Sequence, residues 1–350
     1  EITDHSSYDG FSLYSDDRYK HIDLTQGVYP YTVEVEYKKE YKFLYAIDGT
    51  VLIPGEKASV ERASYQLIFP KELEPRYKAL NIEVEPAKSI TDKGLHSLSW
   101  TFQNLKPIEF EPLGPDVEEI IPAIIAAPSV FEYEGYVGDM STWESYGKWE
   151  ALVISGRDNL PEEAKLKIRE LTTHLNSTEE KVKALYEYLQ NKTRYVSIQL
   201  GIGGLQPFEA ALVDKVGYGD CKALSNYMVA MLNEVGIKGY YTTIKAGDFE
   251  YNLMMDFPSH QSNHVIVAVP NGADTLWLEC TSQTNPFGYT GMFTGDRKAF
   301  MVTEHGGKWV NTPVYNETTN IQSRTAEVML GLDGNAKASV ETVYSGLQYE

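Results

Sequence analysis

The chain has 350 residues, 42% hydrophobic and 23% charged, which suits two or three folded domains and argues against a disordered or collagen-like chain. Lys and Arg number 31 against 50 Asp and Glu, a net charge of −19. That field repels a polyanion and no basic patch offsets it, so no nucleic-acid partner is expected.

The most apolar stretch, residues 120–131, holds Pro122 and Pro128 and falls short of the roughly 20 residues a membrane helix needs, so no membrane span is expected. Two cysteines make no disulfide framework. The chain starts at Glu1 rather than Met, so the lack of an N-terminal signal leaves the compartment open.

Residues 1–150 read as an antiparallel β domain. Val33, Val35 and Tyr37 alternate with charged residues, and Tyr41, Phe43 and Tyr45 alternate again. Further short strands fit at 59–69, 79–85 and 95–105, and the 25 tyrosines suit half-wet pleated strands. Several short strands at this spacing predict a β-sandwich. A proline-rich connector runs from 107 to 128. Trp143, Tyr146 and Trp149, three apart, predict one apolar helical face at the junction.

Residues 151–312 read as a second, mixed α and β domain. Asn159 is expected to cap a helix whose first turn holds Pro161, Glu162 and Glu163. The run from Ser177 to Glu180 is a capping box ahead of the apolar face Val182, Leu185, Tyr186 and Leu189. After a loop with Gly201, Gly203 and Gly204, a second helical face runs through Leu224, Tyr227, Met228, Met231, Leu232 and Val235, ending near Gly236. Strands are expected at 240–246, 264–270 and 275–281. In residues 313–350, strands at 326–332 and 336–344 flank Asp333-Gly334-Asn335, a hairpin at the start of a further β domain.

Cys221 falls in the first turn of that second helix, off its apolar face, with Asp220 or Gly219 at the cap. A helix N-terminus stabilises a thiolate, the nucleophilic form of cysteine, and Lys222 adds to this. A thiol nucleophile needs a histidine to take its proton and an acid to orient that histidine. A two-residue Asn271-Gly272 loop sets His264 directly opposite Glu279, with Val265 facing Leu278 and Val267 facing Leu276 on the apolar side; a longer loop would move Thr281 opposite His264. Cys280 then points to the apolar face and reads as packing. His260 and His264 are four apart without a helix or a third ligand, so no metal is expected. Asp274 reads as turn chemistry. His5, His21, His96, His174 and His305 read as surface residues. No nucleotide or calcium loop is present, and no cofactor is expected.

Gly219-Asp220-Cys221-Lys222, then Asn263-His264-Val265, then Leu278-Glu279-Cys280-Thr281 resemble the core of the bacterial transglutaminase-like family over roughly residues 155–310. The resemblance implies a papain-like fold, with Cys221 as nucleophile, His264 as base and Glu279 as acid. Gln199 is expected to supply a side-chain oxyanion donor beside the Cys221 backbone N–H. The family commonly has Asp-Pro where this chain has Glu279-Cys280, and Asp where it has Ala223. The upstream β region resembles the uncharacterised β domain that often precedes such cores in exported bacterial proteins, which implies a periplasmic or outer-surface location. The expected activity is thiol acyl transfer on a protein or peptide substrate, with hydrolysis ahead of transamidation. Two other readings fit the same residues: a degenerate core serving as a scaffold, and a ligand-binding protein whose tyrosine-rich β domain does the binding.

Overall fold

The computed structural model describes residues 2–7, 12–112, 114–115, 117–247 and 252–349. Two three-stranded antiparallel sheets form the N-terminal region. Strand His96–Leu105 lies between Val60–Phe69 and Ala87–Ile90; strand Ala123–Ala127 lies between Ile47–Val51 and Arg76–Leu80. Leu98, Trp100 and Phe102, alternate residues of one central strand, pack with Leu67 and Phe69 against Ile124 of the other sheet. One shared apolar layer makes the pair a sandwich.

Three details differ from the sequence expectation. The alternating stretch 33–45 forms no strand, and Val33, Val35, Tyr37 and Tyr41 are exposed. Alternation stabilises a strand only where a neighbour supplies a ladder and one face is covered. The strand expected at 79–85 is Arg76–Leu80 instead, because Asn81 turns the chain at φ +55°. The connector is not all loop: its apolar end is the central strand Ala123–Ala127, and Pro122 and Pro128 flank that strand rather than interrupt it.

The junction is helix α1 (Trp143–Ile154), capped by Thr142, whose hydroxyl accepts from the Ser145 N–H at 3.0 Å. Its predicted aromatic face buries Tyr146 and Trp149 with Tyr45 and Phe131. Gly147 is required by contact: a Cβ there would lie 2.6 Å from the Gly306 carbonyl carbon. In a free helix Gly→Ala gains about 0.5–1 kcal/mol. Here backbone meets backbone, so Gly147→Ala is expected to destabilise by about 1–3 kcal/mol in urea unfolding. A gain would show that the helix does not sit against the Gly306 backbone.

Helix α2 (Glu162–Thr172) begins after Pro161, two residues beyond the expected Asn159 cap; the Asn159 amide donates to the Gly156 carbonyl instead. Helix α3 (Thr178–Lys192) carries the capping box, with Ser177 Oγ accepting from the Glu180 N–H and Glu180 accepting from the Ser177 N–H. Helix α4 (Cys221–Glu234) is buried on almost every side. It packs on a five-stranded antiparallel sheet made of β1 (Tyr240–Ile244), β2 (His264–Asn271), β3 (Asp274–Leu278), β4 (Lys298–Thr303) and β5 (Gly306–Asn311), in the order β3-β2-β1-β4-β5.

Strands Gln322–Leu330 and Ala336–Tyr344 form a two-stranded hairpin with nearly every residue exposed. At the other end, strand Ser12–Ser15 pairs in parallel with Ser197–Gln199, tying the start of the chain to the core. Among the described residues, no helix is long and apolar enough to cross a membrane.

Candidate active site

Asp220 is the cap of α4: its Oδ1 accepts from the Ala223 N–H at 2.9 Å. Cys221 therefore sits in the first turn, where backbone N–H groups lack helical acceptors. One turn on, Ser225 Oγ donates to the Val265 carbonyl at 3.1 Å. That bond fastens the cysteine helix to β2 one residue beyond His264.

The hairpin register differs from the expected one. Asn271 pairs with Asp274 around Gly272-Ala273, not around Asn271-Gly272, and Gly272 takes the positive φ of +65°. Val267 thus faces Leu278 and Val269 faces Leu276, two residues away from the expected pairing. A two-residue shift leaves every side chain on its original face. Strand β3 ends at Leu278, and Glu279 reaches His264 diagonally, with Nε2 3.0 Å from both carboxylate oxygens. The extra methylene of Glu suits this longer diagonal reach. Thr281 holds the acid rather than the histidine: its hydroxyl donates to Glu279 Oε1 at 2.5 Å and its N–H at 3.2 Å. From α3, the Tyr186 hydroxyl donates to the Glu279 carbonyl at 3.1 Å.

The pair is electrostatically matched. Burial pulls His264 down, but the Glu279 carboxylate and Cys221 outweigh it and raise the imidazole to about 10. Burial pushes Glu279 up, but His264 and Thr281 bring it below the usual carboxylate range. With Nε2 held by Glu279, Nδ1 is the ring nitrogen that remains. Cys280 lies on the opposite face among Leu278 and Val267, and burial pushes its thiol well above the ordinary value. Asp274 opens β3, its carboxylate accepting from the Thr275 N–H at 2.7 Å.

Cys221 and His264 share a cavity of about 550 Å³. Gln199 is in its wall, with its amide N–H groups on Ser197 Oγ at 3.2 Å and Asp220 Oδ2 at 3.4 Å, and Oε1 accepting from Lys222 at 3.3 Å. Lys222 is buried and ion-paired with Asp220, so its charge is balanced. The cavity also brings in two side chains that the sequence did not place there. His260 lies in the wall with Nδ1 3.3 Å from the Tyr146 hydroxyl, and burial, helped by Lys222, pushes it down to about 4, so it is neutral. Glu150 enters from α1, one turn beyond Tyr146. No local pattern marks either; the only hint was the adjacent aromatic face of α1. Among the described residues, no group of three His, Cys, Asp or Glu is arranged to hold a metal.

A cysteine opening a buried helix, packed on an antiparallel sheet that presents a histidine and an acid beside it, defines a papain-like core of the kind found in cysteine peptidases and acyltransferases. Residues 167–283 match the transglutaminase-like superfamily, and residues 1–109 match a β domain of unknown function known as DUF3857. The fold is similar to a crystal structure described as a "putative protease" from Parabacteroides distasonis, at 18% identity and a TM-score of 0.53, over 80% of this chain and 49% of that one. The chain thus spans about half the length of that neighbour. A "putative cysteine protease" from Cytophaga hutchinsonii aligns over 87% of this chain and 84% of its own at 11% identity, with a TM-score of 0.30 that supports no structural argument. No curated protein matches the chain.

Proposed function

We propose that this chain is a thiol acyl-transfer enzyme acting on peptide or protein amide bonds, with hydrolysis as its main outcome. The observation that carries the reading is the bifurcated contact of His264 Nε2 with Glu279, 3.0 Å to each oxygen, in the cavity wall that also holds Cys221. His264 Nδ1 takes the Cys221 proton and the sulfur attacks the amide carbonyl. The Cys221 N–H and the Gln199 amide, exchanging its long bond to Asp220, meet the oxyanion. The C–N bond breaks as the imidazolium returns its proton to the leaving amine. Water then attacks the thioester, with the same imidazole as base, and frees the acid and the thiol. Glu279 orients the ring and balances its charge throughout.

The test is release of new amines from casein and from a mixed peptide amide library by the native chain and by Cys221→Ala. The alanine variant is expected to lose activity by roughly 10³-fold or more. Equal release by both proteins would overturn the assignment and leave the core a scaffold. A periplasmic or outer-surface location, as the family resemblance implies, belongs to the same proposal; fractionation that finds the chain wholly in the cytosol would remove it.

A further inference from the structure

Glu150 is the one carboxylate among the described residues of the cavity wall. Its Oε2 is shielded from water and has no hydrogen-bond partner. The other charged groups of the wall are matched: Lys222 by Asp220, and His264 by Glu279. His260 in the same wall is neutral. Tyr146 and Tyr241 line the same wall, and burial keeps each phenol protonated. Trp149 and Phe293 add aromatic surface to the wall.

A carboxyl oxygen shielded from water without a partner is costly to maintain. Aromatic faces and one unmatched acid are together the chemistry that receives a cation. We propose that Glu150 is a specificity-determining residue, which takes a positively charged side chain of the peptide substrate into the cavity beside Cys221. This rests on the acyl-transfer reading above. Empty, the acid is pushed up to about 8 by burial and stays largely protonated at neutral pH; an arriving ammonium or guanidinium restores its charge and supplies the missing partner. Lys222 is not its partner: its ammonium is held by Asp220 and the Gln199 amide oxygen.

Three methanethiosulfonates test this: the trimethylammonium-ethyl and sulfonatoethyl reagents, of similar size and opposite charge, and the smaller, neutral ethyl reagent. Each is attacked by the Cys221 sulfur to give a mixed disulfide and methanesulfinate. Rates are compared in the native chain, Glu150→Gln and Glu150→Asp, above the value of about 8 to which burial lifts the carboxyl. The ratio of cationic to anionic rates is expected to fall by about tenfold or more in Glu150→Gln, to be kept in Glu150→Asp, and the neutral ethyl rate to stay within about twofold. An unchanged ratio overturns the proposal. These reagents modify ordinary thiols, so failure of the acyl-transfer reading would lower all three rates together in the native chain, while the fall in the ratio on Glu150→Gln would still be seen. A second arm offers dansylcadaverine with casein: Glu150-dependent incorporation of the dye would make the site one for an acceptor amine, and would also overturn the proposal.

Discussion

His264→Ala is expected to slow alkylation of Cys221 by iodoacetamide at neutral pH by about tenfold or more. The reacting species is the thiolate, and an ordinary thiol with a value of about 8.5 supplies only a few per cent of it at pH 7. In the native chain the neighbouring imidazole is raised to about 10 and so carries its proton across the neutral range. A neighbouring cation favours the anionic form of a thiol in general, and alanine removes that cation. Cys280 does not confuse the measurement, because it is 1% exposed within the core; Cys221→Ala supplies the blank. Equal rates at neutral pH in the two proteins would mean that histidine and cysteine do not act as a pair, and the scaffold reading would take over.

Glu279→Ala should cost about 3–5 kcal/mol of stability near pH 5.5, because it leaves the His264 imidazolium buried without its counter-charge. The sign follows from both partners. His264 rises from 6.5 to about 10, so its contribution is complete below 6.5 and is lost as pH climbs through about 10. Glu279 falls below 4.5, so its contribution is complete above 4.5 and is lost as pH drops through that depressed value. The two overlap fully between 4.5 and 6.5. Urea midpoints should therefore show the widest gap between native and variant in that window and a narrower one as pH approaches 10. A gap that is constant from one window to the other would show that the pair does not titrate as a unit. Glu279→Gln, which keeps the volume, separates charge from packing: it should share the pH dependence and lose less stability than the alanine variant.

Features that depend on near neighbours along the chain were legible in the residues alone. The face from Leu224 to Val235, the face from Val182 to Leu189 and the Ser177–Glu180 box all became helices, since 3.6-residue spacing and cap bonds are satisfied within a turn or two. The start of α4 placed Cys221 in its first turn for the same reason. The shared face of His264 and Glu279 was legible too, although the expected turn was wrong. Strand side chains alternate with period two, so a slip of two residues changed the partners and spared the faces.

The remaining features depend on contacts between distant segments. Residues 33–45 alternate like a strand and lack a neighbour to pair with, whereas residues 123–127, flanked by prolines, became the centre of a sheet because two strands came to lie beside them. Glu150 and His260 are 110 residues apart in the numbering and meet only because α1 and the loop ahead of β2 close over one cavity. Arg76 and Lys78 of the N-terminal sheet help hold that loop, through the Pro258 carbonyl at 2.5 Å and Asp256 at 2.6 Å. Hydrophobic period and cap chemistry are local quantities. Which strand finds a partner, and which buried acid is left without one, are set by surfaces that meet only when the whole chain has packed.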